Sequence, residues 1–403
     1  MQLFYLVFVK FVEFLLMLVY PLTKKGKLKD FIAGQRLAYP ELPQKKYKRY
    51  WFHCASLGEF EQAKPVIESL KSKQSELSIV ITFFSPSGYQ QRHNYALADA
   101  VIYLPLDTPS NAKKLLDYLH ADAAVFVKYE IWYFHLQALF KRKIPVYLIS
   151  ATFRPQQFLF SFWGKWLFRL LPMYKTMFLQ DENSFELLKK KGLQNIVLSG
   201  DTRYDRVKQN ALQVIENEII KTFKGTKKLL ILGSSWAPEE DILLSYLKTQ
   251  SELPFKVVIA PHDISIDHIE EINIKFKSYH PCIYTSYPEN KTADILILNT
   301  MGQLASAYFY ADIAFVGGAF GKGLHNILEP LAFGAPVIFG PNHEKYPEAS
   351  KAMEHEVAIS IHDLKGFNHA LQVYLNVSRT EKCIDYINWN SGASDKVVKA
   401  LQN

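Results

Sequence analysis

The chain has 403 residues, of which 49% are hydrophobic and 14% aromatic; that is enough apolar material for two packed cores, and it excludes disorder as the ground state. The formal charge of +8, from 47 basic and 39 acidic residues, favours an anionic partner, whether nucleotide, phosphorylated substrate, phospholipid surface or nucleic acid. Cys54, Cys282 and Cys383 are far apart and form no Cys-x-x-Cys pair, which excludes a disulfide framework and a thiolate metal site and predicts reduced, buried thiols in a cytosolic compartment.

Met1 to Leu22 is apolar except for Gln2, Lys10 and Glu13. Two charges in the middle weaken a spanning reading, although at three residues apart on a helix they pair. The basic cluster Lys24-Lys25-Gly26-Lys27-Leu28-Lys29 follows, suited to anionic headgroups on the cytoplasmic side. A cleaved signal peptide is disfavoured, because the first residues lack positive charge and no small-x-small site follows. The expectation is a helix over 1–22 lying in or anchored to the inner leaflet, with the rest of the chain cytoplasmic; the alternative is a soluble apolar helix packed on the body.

After Lys48 the chain alternates short β-rich runs with helical stretches, the pattern of a parallel sheet wrapped by helices. Strands are predicted at Tyr50 to Cys54, Ser78 to Phe83, Ala100 to Pro105, Ala123 to Lys128, Val146 to Ser150, Thr176 to Leu179 and Ile196 to Leu198. A second series runs through Leu229 to Gly233, Lys256 to Ala260, Ile283 to Tyr284, Ile295 to Leu298, Ile313 to Val316, Val337 to Phe339 and Ala358 to Ser360. The polar stretch Arg203 to Gly225 contains no obvious strand and places the hinge near its beginning. The expected organisation is an N-terminal helix over 1–22, an acceptor-binding α/β domain over 23–209, a nucleotide-sugar-binding α/β domain over 210–382, and a terminal segment over 383–403 whose helix crosses back to the first domain. Two such Rossmann-like domains would face a cleft at the carboxyl ends of their strands, where ligands bind in open α/β sheets.

The richest segment is Ala311 to Asn342. A strand runs into Gly317-Gly318-Ala319-Phe320-Gly321-Lys322-Gly323, followed by His325-Asn326-Ile327-Leu328-Glu329-Pro330. Four glycines let backbone approach a ligand closely, and a helix opening after Leu324 would aim free N–H groups at a phosphate. The spacing fits neither a Walker loop nor the dinucleotide fingerprint. Asn326 and Glu329 share a helix face, where a carboxylate can accept hydrogen bonds from two ribose hydroxyls; a capping box explains the same pair.

Asn326 to Pro330, followed by Gly334-Ala335-Pro336-Val337 and Gly340-Pro341, resembles the nucleotide-binding signature of the 3-deoxy-D-manno-octulosonic acid (Kdo) transferases. Ser56-Leu57-Gly58-Glu59, Glu130-Ile131-Trp132, Gly200-Asp201-Thr202-Arg203-Tyr204-Asp205, Gly233-Ser234-Ser235, Ala260-Pro261-His262 and Thr300-Met301-Gly302-Gln303 occur in that family's order and approximate spacing. The resemblance covers most of the chain, from the N-terminal helix to about Glu348. It implies a GT-B glycosyltransferase of lipopolysaccharide synthesis. The implied reaction moves Kdo from CMP-Kdo to the 6'-hydroxyl of a phosphorylated, acylated glucosamine disaccharide, the lipid A precursor, with inversion.

The resemblance also implies residue roles. Glu59 matches the general base, needed because a sugar hydroxyl is a poor nucleophile until its proton is removed; by position alone it reads as a first-turn helix residue complementing the dipole. Glu130 matches a second acidic residue that assists the transition state; its plainer reading is a solvent-facing junction residue. Arg203 stands where the family has lysine, keeping the charge that meets the departing phosphate with altered geometry; it also reads as an ion pair with Asp201 or Asp205. Nucleotide contacts fall on Gly233, Ser234, Ser235, Pro261, His262, Met301, Gly302, Gln303, Asn326, Ile327, Leu328 and Glu329. Two departures bear on them: the family has Pro-Arg where this chain has Pro261-His262, and Met-Gly-Glu where it has Met301-Gly302-Gln303. The charge of His262 would depend on pH near neutrality.

No cofactor or metal is expected: there is no His-Glu-x-x-His motif, and His343-Glu344 and His355-Glu356 lack partners at ligand spacing. For the acceptor's acyl chains and phosphates, Phe153 to Leu171 offers Phe158, Phe160, Phe162, Trp163, Trp166, Leu167, Phe168 and Leu170 with Lys165 and Arg169; an apolar helix against the core is the alternative. The rival functions are a GT-B transferase or epimerase for another nucleotide sugar, and a membrane-anchored protein that binds a nucleotide sugar without catalysis. Nucleic acid is not an expected partner, because basic and acidic residues are interspersed.

Overall fold

The computed structural model describes residues 1–23, 26–213, 215–289 and 292–402. Lys24 and Lys25 of the expected basic cluster lie outside the described residues. The chain divides into two units, Met1–Arg206 with Ser391–Asn403, and Val207–Asn390. The division falls a few residues before 209/210, within the helix Thr202–Leu212. The terminal segment divides too: the helix Thr380–Asn390 belongs to the second unit and the helix Ala393–Gln402 to the first.

In the first unit, β1 (Arg49–Cys54), β2 (Ser78–Phe83), β3 (Ala100–Tyr103), β4 (Ala123–Val127), β5 (Val146–Ala151), β6 (Thr176–Leu179) and β7 (Ile196–Leu198) form one sheet in the order β3-β2-β1-β4-β5-β6-β7. All its pairings are parallel. The strands read as continuous apolar runs because helices cover both faces. Alternate residues supply two cores: Trp51, Val80, Ala124, Phe126 and Leu148 face one layer, while Tyr50, Phe52, Ile79, Val125 and Ile149 face the other, which Val397, Val398 and Leu401 of the last helix complete.

In the second unit, β8 (Lys228–Ser235), β9 (Phe255–Pro261), β10 (Pro281–Ile283), β11 (Ile295–Ile297), β12 (Ile313–Val316), β13 (Val337–Phe339) and β14 (Ala358–Ser360) form a parallel sheet in the order β10-β11-β9-β8-β12-β13-β14. β10 begins two residues before the expected strand, at Pro281 rather than Ile283, and Tyr284 already lies in a 3-10 turn. The polar stretch after Arg203 folds as the helices Thr202–Leu212 and Glu218–Lys224. Each sheet order has one point where the winding reverses, between β1 and β4 in the first and between β8 and β12 in the second. Ligands of open α/β sheets bind at the carboxyl side of such a switch point.

The N-terminal helix Gln2–Val19 continues into a short turn at Tyr20–Leu22. Gln2–Leu22 is long and apolar enough to cross a membrane, by length and composition, and only 6% of that window is buried. Lys10 and Glu13 pair at 2.6 Å. Tyr5 is a contact residue: its ring packs on Tyr133, Phe134 and Trp166, and its hydroxyl donates to Asp107.

The aromatic segment after Phe153 is a chain of short turns rather than one apolar helix. Leu159, Leu170 and Leu171 are core residues, with Phe160, Trp166, Leu167 and Phe168 packed against them. Phe158, Phe162 and Trp163 are exposed, and Lys165 lies over the Phe162 ring. The segment is thus divided between residues packed on the core and residues that face outward, and the single apolar helix is replaced by short turns.

Candidate functional site

β1 ends at Cys54, and Ser56 caps the following helix Leu57–Lys73 by accepting from the Glu59 amide. This loop opens at the switch point of the first sheet. Glu59 sits in the first helical turn, where its carboxylate accepts from the Ala55 amide. The plain first-turn reading is thus correct for its backbone position, yet the side chain is 6% exposed and its pKa is raised from 4.5 to about 7. Burial is the larger cause and the neighbouring Glu130 carboxylate the next; the Ala55 amide and the Lys128 ammonium oppose them.

Glu130 leaves the end of β4, the strand beside β1, and is drawn inward rather than left in solvent. Its Oε2 accepts from the Trp132 indole N–H at 2.7 Å and lies 3.5 Å from His53 Nε2. Its backbone carbonyl accepts from the Tyr174 hydroxyl at 2.7 Å. Two carboxyl groups, one of which raises the pKa of the other, therefore sit on adjacent loops at the switch point. Such pairs divide into one group that stays charged and one that takes up a proton near neutrality. Burial, with these carboxylates next, also holds the Cys54 thiol well above its ordinary range, so that it is inert as a nucleophile.

Arg203 lies in the first turn of the helix Thr202–Leu212. Its amide and Nε donate to the two oxygens of Asp201 at 2.9 and 2.8 Å, and its Nη2 lies 2.7 Å from Asp201 Oδ2. Of the two expected partners it takes Asp201; Asp205 accepts instead from the amides of Gly392 and Ser394 at the start of the last helix. Thr202 ties this segment in, bonding to Ser150 and to the Gln62 carbonyl.

In the second unit the glycine-rich turn after β12 lies beside the end of β8. The Gly317 amide donates to the Gly233 carbonyl at 2.9 Å, and a side chain on Gly317 would run into the Ser234 carbonyl. Gly318 has φ +94°, a left-handed conformation that glycine adopts at no steric cost. Glu239 binds the turn from the opposite side: one carboxylate oxygen accepts from the Gly318 amide at 2.8 Å and the other from the Trp236 amide at 3.1 Å.

Beside this turn is an aromatic group of three. The Trp236 indole N–H donates to His325 Nε2 at 3.2 Å. The exposed His262 ring stacks on both, at 4.7 Å from each centroid and 26° from each plane. As an acceptor at Nε2, His325 is neutral with its proton on Nδ1, and burial followed by His262 lowers its pKa. Lys322 lies over the Trp236 ring at 5.2 Å, which adds a cation to the same face.

The remaining candidates divide between core and surface. Pro261, Ile327 and Leu328 are buried, so their side chains serve the core. Ser235 turns its hydroxyl inward to Glu240 at 2.9 Å, Gly233 is covered by the Tyr308 hydroxyl, and Ser234 is half-buried with φ 52°. The helix expected after Leu324 opens later, at Leu328. Asn326 caps it through the Leu328 amide at 3.0 Å and donates to Glu329 at 3.1 Å, so the local pairing is made, with Asn326 one residue outside the cap position. Met301 and Gly302 are exposed, while Gln303 accepts from Asn217 at 3.0 Å.

His53, Trp132, Trp236, Glu239 and His325 escaped the sequence reading as site residues. His53 carries a faint signal, a polar residue inside an otherwise apolar strand. Trp236 and Glu239 carry none, because tryptophan is not an N-cap type.

Two doubly wound parallel sheets in one chain, each with its polar and glycine-rich residues gathered at the switch point, define the GT-B class. The fold is shared with UDP-GlcNAc 2-epimerase from Methanocaldococcus jannaschii, which matches with a TM-score of 0.59 at 15% identity over 88% of this chain and 99% of that one. Residues 33–206 match the model of the family described as 3-deoxy-D-manno-octulosonic-acid transferase (kdotransferase). The chain is 27% identical to the 3-deoxy-D-manno-octulosonic acid transferase of Haemophilus influenzae over 79% of its own length and 80% of that protein. It is also 27% identical to that of Aquifex aeolicus, over 76% and 80%. The chain is similar to the Kdo transferases over most of its length, as its motifs indicated.

Proposed function

We propose that this protein transfers Kdo from CMP-Kdo to the 6'-hydroxyl of a phosphorylated, acylated glucosamine disaccharide, the lipid A precursor, with inversion. The observation that carries the reading is the Glu59–Glu130 pair at the first switch point, with the proton affinity of Glu59 raised to about pH 7. A base poised near the working pH removes the hydroxyl proton as the glycosidic bond forms. Glu130 beside it faces the positive charge that gathers on the sugar in an oxocarbenium-like transition state. A single displacement requires no covalent intermediate, and CMP departs as the anion. In this reading Arg203 meets the phosphate charge, while His262, Asn326 and Glu329 contact the nucleotide. No metal step is needed.

The acceptor carries acyl chains, and the N-terminal helix presents Phe4, Val7, Phe8 and Phe11 outward, all more than half exposed. Phe158, Phe162 and Trp163 are exposed as well, and exposed apolar side chains of this kind suit a membrane interface. We place the protein on the inner membrane with its catalytic units on the cytoplasmic face.

Mass spectrometry of a lipid A precursor incubated with CMP-Kdo and either the protein or its Glu59→Gln variant tests the reaction. Addition of Kdo by the wild type and its loss in the folded variant are expected. No addition by the wild type rejects the donor or acceptor, and an active variant rejects Glu59 as base.

A further inference from the structure

The aromatic group beside the glycine-rich turn leaves one polar atom uncommitted. The Trp236 indole nitrogen can only donate, and it lies 3.2 Å from His325 Nε2. That ring nitrogen is therefore the acceptor, and the imidazole proton sits on Nδ1. Among the described residues no group accepts this proton. His325 is half-buried, and its Nδ1 is not one of the enclosed side-chain atoms that lack a partner, so the N–H opens to solvent beside the turn.

Both rings are held by the turn itself. The Trp236 amide donates to Glu239 at 3.1 Å, and the other oxygen of that carboxylate accepts from the Gly318 amide at 2.8 Å, which ties the tryptophan backbone to the turn. The His325 amide donates to the Gly317 carbonyl at 3.2 Å. Its Cδ2 edge lies so near Gly318 that a methyl there would meet it at 2.9 Å. With the turn on the Cδ2 edge and the indole at Nε2, the Nδ1–H edge is the one a ligand can reach. Lys322 lies over the Trp236 ring at 5.2 Å, and His262 stacks on both rings. A fixed N–H beside a lysine cation, where glycine lets backbone come close, is complementary to an anionic oxygen.

We propose that the His325 Nδ1–H donates a hydrogen bond to the phosphate of the bound nucleotide, and that Trp236 is the positioning residue which fixes His325 in the tautomer able to do so. An unconstrained neutral imidazole favours the Nε2–H form, which would turn a lone pair toward the phosphate. The indole N–H opposes that form, because two donors would then face each other. Trp236 acts in this way through His325 and without contact to the ligand. Burial, followed by the neighbouring His262, lowers the pKa of His325, in keeping with a neutral ring. The nucleotide is that of the proposed Kdo donor, so the ligand rests on that reading; the tautomer does not.

The tautomer is read by nitrogen NMR of protein labelled at its histidine rings, with the His325 signals assigned by difference with His325→Asn. The wild type should show a proton on Nδ1 and a bare Nε2. Trp236→Phe, which keeps a ring against His262 but has no N–H, should shift His325 toward the Nε2–H form. A wild-type ring protonated at Nε2, or an unchanged tautomer in folded Trp236→Phe, overturns the proposal. The contact is read by calorimetric titration with CMP and with cytidine, which lacks the phosphate. Trp236→Phe should weaken CMP by about fivefold, because the competent tautomer becomes the minor one, and should leave cytidine unchanged. His325→Gln should weaken CMP by roughly tenfold, while His325→Asn, whose amide N–H stands in for Nδ1–H, should bind it as the wild type does. Equal losses for CMP and cytidine, or equal affinities of the Gln and Asn variants for CMP, overturn the phosphate contact. Should Trp236→Phe fail to fold, the wild-type tautomer and the Asn and Gln pair carry the test. A protein that binds UMP in place of CMP, with the same losses relative to uridine, would reject the proposed donor and support the inference; one that binds neither nucleotide overturns the contact.

Discussion

The hydroxyl of Tyr5, in the N-terminal helix, donates to the buried carboxylate of Asp107 at 2.8 Å. Asp107 also accepts from the amides of Phe134 and His135, at 3.0 Å each to Oδ1, and from His135 Nδ1 at 2.6 Å. A helix whose outward face is apolar is thus fastened to the first unit by a polar anchor set among the Tyr133, Phe134 and Trp166 rings.

Tyr5→Phe removes that bond and keeps the ring contacts. Hydrogen exchange of the amides in Gln2–Val19 should become faster by an amount equivalent to about 1.5 kcal/mol, with the rest of the unit unchanged. Asp107→Ala strips several donors at once and should cost roughly 3 kcal/mol or more of stability, read as a fall in Tm.

The raised pKa of Glu59 fixes a sign for stability against pH. Between pH 4.5 and about 7 the folded chain holds a proton at Glu59 that the unfolded chain has lost. The contribution is complete below about pH 4.5 and is lost as pH rises through about 7. Its size is on the order of a few kcal/mol. Glu59→Gln, which keeps an acceptor for the Ala55 amide, should remove this dependence: relative to wild type, the variant should gain Tm at pH 8 compared with pH 5.

Gly317 and Gly321 belong to the same turn and should respond in opposite ways. A methyl at Gly317 meets the Ser234 backbone carbonyl, which cannot move without disturbing β8, whereas a methyl at Gly321 meets nothing within 4 Å. Gly317→Ala should cost about 2 kcal/mol or more in denaturant unfolding, and Gly321→Ala should stay within about 0.5 kcal/mol.

Asp205 caps the last helix from elsewhere in the unit, through the amides of Gly392 and Ser394. Asp205→Ala should cost about 2 kcal/mol. Proteolysis near Ala393 should become faster, because Val397, Val398 and Leu401 would detach from the sheet they cover.

What the sequence by itself determined was local. The strand positions were legible because a parallel strand covered on both faces is a continuous apolar run, and strands such as Ser78–Phe83 and Ile313–Val316 lie where that pattern put them. The resemblance of the ordered motifs to the Kdo transferases was legible for the same reason: each motif is a short stretch of chain. Only the tertiary structure decided which strands are neighbours. β1 lies beside β4, with β2 and β3 on its other flank, and this non-local pairing brings the loop of Glu59 to the loop of Glu130. The tertiary structure also decided the direction of each polar group. Ser235 turns in to Glu240, Arg203 binds Asp201 rather than Asp205, and Trp132 donates to His53 on the neighbouring strand, because a buried donor goes to whichever acceptor the packed core leaves within about 3 Å. That choice is made by atoms far apart in sequence, and no spacing of residue types records it.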